Sequence, residues 1–323
     1  MATVAQLRSS GVSATADVEG LLEQHRRELT GYCYRMLASP FEAEDAVQET
    51  MIRAWRGIER FEGRAALKSW LYRIATNVCL DMLKSRERRA RPVDLGPAQE
   101  PVIENLHIPE GDVWVLPSPD PVDVAVEHES VRLAFVAALQ HLPARQRAAL
   151  ILCEVLRWQA SEAAELLDTS VASVNSALQR ARATLSESDL ETQERELTAD
   201  ERALVDKFVG AFERYEIDEL TTLLREDATQ SMPPFDLWLD GRDDVLTWWF
   251  GPGIACKGSR MLPAGTANGL PAYGQYKPSP EGGHEPWSLV VLRPSAEGMA
   301  ELTFFLDTDR LFPLFGLPAR LDA

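Results

Sequence analysis

The stretch from Asp45 to Arg91 constrains the fold most, because it reads as two amphipathic helices of opposite chemical character. At about 100° per residue, the first helix separates an apolar stripe from a mainly polar face. The stripe contains Val47, Met51, Ala54, Trp55 and Ile58, and the opposite face contains Asp45, Gln48, Glu49 and Ile52. The pattern favours a packed position for Trp55.

The second helix follows a break at Glu62-Gly63 and ends in a cluster of positive charge. Its apolar positions are Leu67, Trp70, Leu71, Ile74 and Val78, and its basic end contains Lys84, Arg86, Arg88, Arg89 and Arg91. An acidic-polar face followed by an aromatic and basic face indicates two partners, one basic protein surface and one polyanion.

The charge is segregated along the chain, although the net charge is -17. Residues 64–91 hold eight Lys and Arg against two Asp and Glu, whereas residues 92–130 hold nine acidic residues and no Lys or Arg. Residues 131–185 carry six basic and four acidic residues, and residues 186–323 carry twelve basic and twenty-five acidic ones. The basic charge therefore lies where a polyanion would bind, and the segregation supports a modular chain.

Composition and length predict a chain of two or three domains. It has 323 residues, of which 45% are hydrophobic and 26% charged, as in soluble globular proteins. Residues 1–16 lack the apolar core of a signal peptide, and no apolar run is long enough to span a bilayer. We therefore expect a disordered leader on a cytoplasmic protein that does not enter the membrane.

The four cysteines indicate neither a metal site nor a disulfide framework. Their spacing contains no CxxC or paired His and Cys motif, so we expect reduced and mostly buried thiols and no cofactor or metal. They are Cys33, Cys79, Cys153 and Cys256.

The amino-acid sequence of the two helices identifies a family more specifically than their periodicity does. DAVQETMIRAW, followed by FEGRAALKSWLYRIATNVCLDMLKSR, resembles region 2 of the bacterial sigma-70 family, in its extracytoplasmic-function (ECF, group 4) class. The resemblance implies a helical region 2 over residues 17–91. It also implies that Asp45, Gln48, Glu49 and Ile52 bind the coiled coil of the largest subunit of core RNA polymerase. An acidic face complements a basic, Arg-rich helical pair.

The second helix and its flanks resemble the part of region 2 that recognises and melts the promoter -10 element. Single-stranded bases stack on flat side chains, while Lys and Arg hold phosphates. Trp70 also lies on the apolar stripe, so core packing is its alternative. The expected -10 residues are Arg64, Lys68, Trp70, Arg73, Asn77, Lys84, Arg86 and Arg88.

Residues 92–127 form an acidic, Pro-rich segment, with seven prolines between 92 and 130. The composition is typical of a solvated linker. The resemblance implies the segment between regions 2 and 4, which threads through the polymerase toward its active site and RNA-exit channel. Val113-Trp114-Val115 is its candidate anchor.

Residues 128–186 contain a helix-turn-helix pattern. Pro143 opens one helix, Ser161–Leu167 forms another, and a turn at Asp168-Thr169-Ser170 precedes the amphipathic helix VASVNSALQRARATL. In that helix Val171, Val174, Leu178, Ala181 and Leu185 share one arc. Small polar residues, Gln and Arg occupy the opposite face, where they can read base edges in a major groove.

LPARQRAALILCEVLRWQASEAAELLDTSVASVNSALQRARATL resembles sigma region 4, which reads the duplex -35 element and contacts the polymerase flap. Asn175 and Ala177 stand where relatives often carry Lys and Arg. A generic regulator with the same motif is the alternative for this block alone. The expected -35 residues are Ser170, Ala172, Ser173, Asn175, Ser176, Gln179, Arg180 and Arg182.

A charged connector over 187–200 leads to a different domain over 201–323. Leu204, Phe208, Ala211 and Tyr215 form a helical stripe, and Asp218 is a candidate cap for a short helix to Leu224. A helix over 241–249 and strands over 259–267, 271–276, 287–292 and 300–305 follow, which is an α+β order. AFERYEIDELTTLLREDATQSMPP and GRDDVLTWW resemble the SnoaL-like, NTF2-like cone fold, which encloses a pocket.

Catalysis in this domain would need a carboxylate or His poised in an apolar cavity. Asp236, Asp240, His284 and Asp307 are conceivable, but no spacing distinguishes any of them, so we assign no catalytic residue. Trp238, Trp248, Trp249, Phe250 and Tyr273 could line a dry cavity or form a plain packed core. The terminal LFPLFGLPARL could be a docking tail or a last strand.

The sequence as a whole predicts a multidomain protein, with all-α sigma region 2 and helix-turn-helix region 4 followed by an α+β NTF2-like domain. The resemblance implies a non-enzymatic sigma factor that binds core RNA polymerase, recognises duplex -35 DNA and opens -10 DNA. Its C-terminal domain would regulate that activity, through a small ligand or an anti-sigma factor. The alternatives are a DNA-targeted isomerase, cyclase or ligand sensor, and an ordinary repressor.

Overall fold

The computed structural model describes residues 14–58, 61, 66–84, 88–111, 113–119, 133–186 and 197–322. Arg64, Arg86 and most of the predicted leader and connector lie outside these residues. The described residues form two compact units. One contains residues of 14–89 and 133–186, and the second contains residues of 90–119 and 197–322. Each unit is described separately.

The first unit begins with four helices, with bounds α1 Ala14–Glu23, α2 Arg26–Leu37, α3 Pro40–Gly57 and α4 Leu67–Leu83. The pattern over 17–40 predicts one helical run, but the structure divides it into α1 and α2. Ala38 then adopts a left-handed conformation with φ of 57° and ends α2. Ser39 caps α3 by accepting a hydrogen bond from the Glu42 N–H at 3.4 Å, and Pro40 occupies the first turn.

The core of this helical region lies between α2, α3 and α4. Tyr32 and Tyr72 are fully buried, and the Tyr32 hydroxyl lies 2.8 Å from the hydroxyl of Thr76. Val47 and Ala54 of the predicted stripe are buried as expected. Trp55 is not, because 54% of its surface is exposed, so the expected packed position of Trp55 is wrong.

The rest of the first unit contains α5 Leu133–Gln140, α6 Ala144–Leu150, a π-helical turn Ile151–Val155, α7 Ala160–Leu166 and α8 Val171–Ser186. Asp168 lies between α7 and α8 with a positive φ of 50°, which forms the tight turn that the sequence predicts. Val174, Leu178 and Ala181 are buried, whereas Val171 is 43% exposed and does not share their packing.

The second unit opens with α9 Ala199–Arg214 and α10 Ile217–Leu223. Thr198 and Glu201 form a reciprocal capping box, which explains the sharp start of α9. Asp218 does not cap α10, because the cap position belongs to Glu216 and Asp218 lies in the first turn. Phe208 and Ala211 are fully buried, as the stripe predicts.

A six-stranded sheet follows, in the order β2-β1-β6-β5-β4-β3. Its strands are β1 Leu224–Ser231, β2 Trp238–Asp240, β3 Arg260–Ala267, β4 Leu270–Pro278, β5 His284–Ser295 and β6 Gly298–Phe305, and α11 Arg242–Phe250 lies between β2 and β3. Four strands and this helix match the predicted positions within three residues. The sequence pattern missed β1 and β2, because neither alternates apolar and polar residues.

The C-terminal segment forms a helix, α12 Thr308–Leu314, that packs on β5. Its Phe312 ring lies 5.1 Å from that of Tyr276. Leu317 approaches β4 so closely that a Cβ on Gly274 would lie 2.7 Å from the end of its side chain, which would have to shift. LFPLFGLPARL is therefore a packed cover of the sheet, neither a docking tail nor a last strand.

Candidate nucleic-acid and protein interfaces

The polar face of α3 is available for a protein partner. Asp45 and Gln48 are exposed, Glu49 is half-buried and pairs with Arg53 at 2.6 Å, and Ile52 is 38% exposed. Trp55 lies three residues after Ile52, so it extends the same face as a large apolar side chain. Sequence reasoning assigned Trp55 to the opposite side, and the angular overlap of the two faces near this position explains the error.

Along α4 and its C-terminal end, Trp70, Arg73, Asn77 and Lys84 fall on one face at about 100° per residue, whereas Lys68 lies on the opposite side of the helix. Lys68 pairs with Glu28 at 2.5 Å and lies 5.8 Å from the ring centroid of Tyr72. Asn77 is exposed, and Lys84 is exposed and pairs with Asp81 at 2.7 Å. These three positions are accessible to a polyanion.

Trp70 has an intermediate environment. Its ring lies 5.0 Å from that of Phe61, and a Cβ on Gly57 would lie 3.1 Å from it. The indole is half-buried, which is consistent with both readings of Trp70, as a stacking platform and as part of the packed core.

Arg73 and Arg88 contact the helix-turn-helix part of the same unit. Arg73 donates a hydrogen bond of 2.9 Å to the carbonyl oxygen of Glu165 and lies 3.7 Å from its carboxylate. Arg88 contacts the ring nitrogens of His141. Both arginines are therefore engaged within the chain rather than free for DNA.

A buried arginine joins the same two parts more deeply. Arg147 is 4% exposed, and its guanidinium donates to the carbonyl oxygens of Leu139 at 2.9 Å and Leu142 at 3.2 Å. It also donates to the Met36 carbonyl at the end of α2. Burial and the nearby charge of Arg88 lower the pKa of Arg147 to about 10. Sequence reasoning missed this residue, because no periodicity marks a single buried cation.

The neighbouring contacts strengthen this junction. The Gln140 amide donates to the Arg35 carbonyl at 3.3 Å, and the rings of Tyr72 and Trp158 lie 5.1 Å apart. Within residues 14–89, beside this junction, Arg89 and Glu42 form a buried ion pair at 2.7 Å between side chains that are 5% and 8% exposed. The first unit is therefore closed, with α4 packed against the helix-turn-helix.

The predicted recognition helix α8 presents its polar face outward. Ser170 accepts a hydrogen bond from the Ser173 N–H at 3.1 Å, which caps the helix start. Arg180 donates to the Ser176 hydroxyl at 2.6 Å, and Arg182 pairs with Glu154. The exposed members of the predicted set are Ser170, Ala172, Ser173, Asn175, Gln179, Arg180 and Arg182, with Ser176 half-buried.

The acidic linker is attached to the C-terminal domain within the second unit. We refer to its residues 90–111 and 113–119 as the strap. Gln99 donates its N–H to the Trp238 carbonyl at 3.1 Å, and the Trp238 indole N–H donates to the Gly96 carbonyl at 2.9 Å. The Asp236 N–H donates to the His107 carbonyl at 2.9 Å. These bonds hold the strap along β2, one edge of the sheet.

The strap is also attached at the opposite edge of the sheet. Ser118 donates its N–H to the Asn268 side-chain oxygen at 2.9 Å, and the Asn268 N–H donates to the Ser118 carbonyl at 3.1 Å. Asn268 and Gly269 have φ of 52° and 76° and form the turn between β3 and β4. Val113, Trp114 and Val115 of the predicted anchor are buried.

The four conceivable catalytic groups of the C-terminal domain have different environments. The Asp236 carboxylate oxygen Oδ1 is buried and has no hydrogen-bond partner among the described residues. Asp240 is exposed, Asp307 pairs with Arg310 at 3.4 Å, and a His284 ring nitrogen lies 3.1 Å from the Gly258 carbonyl oxygen. Trp248 and Trp249 belong to the hydrophobic core, and Phe250 and Tyr273 pack against it. The aromatic residues thus form mainly a packed core.

Across the described residues, the polar side chains form no metal site and the helices are too short or too polar to cross a membrane. These residues contain no group of three or more His, Cys, Asp and Glu side chains arranged for a metal ion. Within the same ranges, no helix combines the length and apolarity that a membrane crossing requires. The four cysteines are free, and a hydrogen bond with Cys79 together with burial raises the pKa of the Cys33 thiol.

Comparisons with known proteins agree with this architecture. A family model described as Sigma-70 region 2 matches residues 21–89, and one described as Sigma-70, region 4 matches residues 132–185. The ECF RNA polymerase sigma factor SigG of Mycobacterium tuberculosis is 41% identical over 317 residues, covering 94% of this chain and 85% of that protein. SigE of Mycolicibacterium smegmatis is 32% identical over 164 residues, covering 50% of this chain and 57% of that protein.

A similar solved structure is the crystal structure of the Mycobacterium tuberculosis extracytoplasmic function sigma factor SigJ. It has a TM-score of 0.60 and 20% identity, and the match covers 94% of this chain and 99% of that one. At that identity the match supports the fold alone. The predicted helical regions 2 and 4 and the α+β character of the C-terminal domain are confirmed. With the match to SigG, they show that this chain belongs to the extracytoplasmic-function class of the sigma-70 family.

Proposed function

We propose a division of labour between the surfaces of this sigma factor, which binds core RNA polymerase and promoter DNA and directs promoter-specific transcription initiation. The polymerase coiled coil binds the face of α3 that carries Asp45, Gln48, Glu49 and Ile52, extended by Trp55. The exposed carboxylates and the 54% exposure of the indole support this assignment. Exposed aromatic residues beside charged ones are typical of protein-binding hot spots.

The -10 element binds the α4 surface in this proposal. Asn77 and Lys84 are accessible there, and Trp70 supplies the flat face on which an unstacked base can lie. Lys68 contacts phosphate from the other side of the helix. Arg64 and Arg86 keep their predicted roles as phosphate contacts. Arg73 and Arg88 contribute after they leave their partners Glu165 and His141, so the first unit opens before both promoter elements are bound.

The -35 element binds the outward face of α8. Asn175, Gln179 and Arg180 carry the donors and acceptors that can read base edges, while Ser170, Ala172, Ser173 and Ser176 let the helix approach the groove. Arg182 is exposed and serves as a phosphate contact after it leaves its partner Glu154. The flap of the polymerase supports region 4 from outside. Since polymerase and promoter are intracellular, the protein acts in the cytoplasm.

The C-terminal domain regulates the sigma factor without chemistry of its own. The observation that carries this proposal is the attachment of the strap at both edges of the sheet, through Gly96 and Gln99 at Trp238 and through Ser118 at Asn268. The same segment must thread the polymerase during initiation, so the domain and the polymerase compete for it. The exposure of Asp240 and the contacts of Asp307 with Arg310 and of His284 with Gly258 support the absence of catalysis at these three groups.

The test loosens the strap without removing a domain. Trp238→Phe deletes the indole donor to Gly96, and Asn268→Gly deletes the acceptor for Ser118 while it tolerates the positive φ. Each lost hydrogen bond weakens the attachment by about 1 kcal/mol. We expect the double variant to raise initiation by purified protein and core polymerase severalfold at limiting factor concentration.

The matched control is Trp287→Phe, which changes an exposed tryptophan on β5 that stacks with Lys277 rather than with the strap. It should leave transcription unchanged. A double variant that transcribes no better than the parent, at equal stability, would contradict regulation through the strap.

A further inference from the structure

A cavity of about 180 Å³ in the first unit is lined by an excess of positive charge. Residues 14–89 contribute Glu42, Arg88 and Arg89 to its lining, and residues 133–186 contribute Gln140 and Arg147. The remaining lining residues are apolar. Three arginines against one glutamate leave an excess of two positive charges on the groups around the cavity.

One of the three arginines is paired with an acid. Arg89 forms the buried ion pair with Glu42, at 2.7 Å. Arg147 donates five hydrogen bonds, and all of them go to uncharged oxygen atoms, namely four backbone carbonyls and the Gln140 side chain. Arg88 contacts the ring nitrogens of His141. Among the described residues, neither Arg88 nor Arg147 therefore has a carboxylate partner.

The charges of Arg88 and Arg147 oppose each other. Arg147 is 4% exposed, and burial together with the charge of Arg88 lowers its pKa to about 10. A buried cation without a counter-ion is unfavourable, because it has lost its hydration and gained no opposite charge in return. An anion in the cavity would offset both the burial of Arg147 and its repulsion by Arg88.

The lining also indicates the kind of anion. Arg88 is exposed, and its Nε and Nη1 atoms have no hydrogen-bond partner in the described part of the chain. A guanidinium group offers paired N–H donors that match the oxygens of a phosphate. The excess of two charges matches a dianion.

The volume of the cavity limits the size of the ligand. It corresponds to roughly six water molecules at ~30 Å³ each, which leaves room for one tetrahedral oxyanion and some of its water. It is smaller than the roughly 300 Å³ at which pockets for drug-sized ligands begin. A phosphate group therefore fits inside, and a larger molecule would have to remain mostly outside.

We propose that this cavity is a binding site for a phosphate dianion. Arg88 donates hydrogen bonds to the phosphate oxygens, and Arg147 contributes its charge. Because these two arginines come from the two parts of the first unit, bound phosphate attracts both and stabilises the closed arrangement. A free phosphate ion and the phosphate group of a nucleotide share this chemistry.

The site has a consequence for initiation, and that consequence rests on the proposed function. Arg88 is an expected phosphate contact of the -10 element, and in the proposed function it leaves His141 when the first unit opens. Phosphate in the cavity should hold Arg88 and oppose this opening. Initiation should therefore fall as phosphate rises, whereas phosphate binding itself does not depend on the proposed function.

The first test titrates the full-length protein with sodium phosphate at pH 8 in a calorimeter, with sodium chloride of equal ionic strength as the reference. Arg88→Gln removes an exposed donor of the cavity and should weaken phosphate binding at least tenfold. Arg145→Gln removes an exposed cation of α6 that does not line the cavity, and it should bind phosphate as the parent does. Equal affinities for the two variants, or no binding by the parent above the chloride reference, would overturn the proposal.

The second test changes the affinity in the opposite direction. Glu42→Gln removes the acid from the lining while it keeps the shape of the side chain, so phosphate should bind about fivefold more tightly. A gain in affinity cannot result from damage to the fold. An affinity equal to that of the parent, in a variant with the circular dichroism of the parent, would contradict the electrostatic origin of the site.

The third test identifies the source of the phosphate by comparing inorganic phosphate with adenosine 5′-monophosphate. We expect inorganic phosphate to bind more tightly, because the cavity has no room for a nucleoside. Adenosine 5′-monophosphate that bound tenfold more tightly, and lost this affinity in Arg88→Gln, would assign the cavity to the phosphate group of a nucleotide. Adenosine that bound as well as its monophosphate, with no binding of inorganic phosphate, would overturn the site.

The last test measures initiation with core polymerase, with and without saturating phosphate at constant ionic strength. Phosphate should lower initiation by the parent severalfold, and each protein without phosphate is its own reference. The same fractional loss with Arg88→Gln would place the effect on polymerase or DNA and overturn the role in closure. Calorimetry is independent of transcription, so phosphate binding can fail while Trp238→Phe/Asn268→Gly still raises initiation, and the reverse can also occur.

Discussion

The two internal junctions of this sigma factor, one in each compact unit, are built on opposite principles. In the first unit, Arg147 is buried, and its guanidinium N–H groups donate to carbonyl oxygens at the ends of α2 and α5. In the second unit, backbone hydrogen bonds and one half-buried leucine, Leu106, hold the strap. A buried cation at the negative ends of two helices forms an all-or-none contact, whereas a peripheral segment can detach by steps.

The difference explains how one chain can carry two kinds of control. The closed junction between regions 2 and 4 should require a large free energy to open, of the order that polymerase binding supplies. The strap should respond to weaker influences, such as a small molecule or modest changes of temperature. The predictions below test this contrast.

The largest effect is expected for Arg147→Met. Methionine has an unbranched side chain of similar length, but it cannot donate hydrogen bonds. The carbonyls of Met36, Leu139 and Leu142 are therefore left without their donor. Stability of the first unit should fall by about 3–5 kcal/mol, measured by urea unfolding. The exposed Arg145 is the matched control, and Arg145→Met should change stability by less than about 0.5 kcal/mol. Equal effects would remove the distinction between the two junctions.

Alkaline pH should weaken the sheet domain of the second unit. Burial raises the pKa of Tyr276 to about 12, from an ordinary value near 10. Between those two values the unfolded chain loses this proton and the folded chain keeps it, so stability falls as pH rises through that window.

Tyr276→Phe should flatten this alkaline slope, although it also removes the hydrogen bond of 2.8 Å from the hydroxyl to the Pro318 carbonyl. The measurement is unfolding free energy at pH 8 to 11. If the unfolding free energy of the variant fell with pH as steeply as that of the parent, other groups, such as the buried Tyr32, would cause the loss of stability at alkaline pH.

The smallest effect is expected for Glu165→Lys. It replaces the carboxylate near Arg73 with a like charge, but both side chains are exposed and the bond to the Glu165 backbone carbonyl remains. We expect the unfolding free energy of the first unit to fall by about 0.5 kcal/mol. Binding of single-stranded -10 DNA by the free chain should increase about twofold. Ser161→Lys on the same helix adds one positive charge, half the charge change of Glu165→Lys, and so gives the gain from nonspecific attraction per added charge. A gain of tenfold or more would mean that this exposed pair, rather than Arg147, closes the unit.

Most elements of the fold could be predicted because their signals are local. The amphipathic period of α3 and α4, the proline before α6 and the glycine turns of the sheet each depend on neighbours within one or two turns. The polar face of Asp45, Gln48 and Glu49 followed from the same period. Trp55 was misplaced, because a residue at the boundary between two faces can turn to either side.

The strands β1 and β2 and the helix α12 were missed for another reason. β1 contains LREDATQS, which has no alternating pattern, and it is a strand because β6 and β2 pair with both of its edges. Thr308–Leu314 is helical where it covers the apolar face of β5. In both cases the partner decides the conformation, as expected where tertiary packing overrides propensity.

The sequence by itself determined the family, the order of the helical and α+β regions, and the residue types on the faces proposed for polymerase and DNA, because these depend on short-range periodicity and on motif sequence. Only the tertiary structure decided which charged side chains bond to other parts of the chain and where the acidic linker lies. Arg147, Arg73 and the strap contacts of Trp238 and Asn268 join residues far apart in the chain. Such pairings leave no local pattern, since hydrogen bonds between distant segments depend on where the fold brings them.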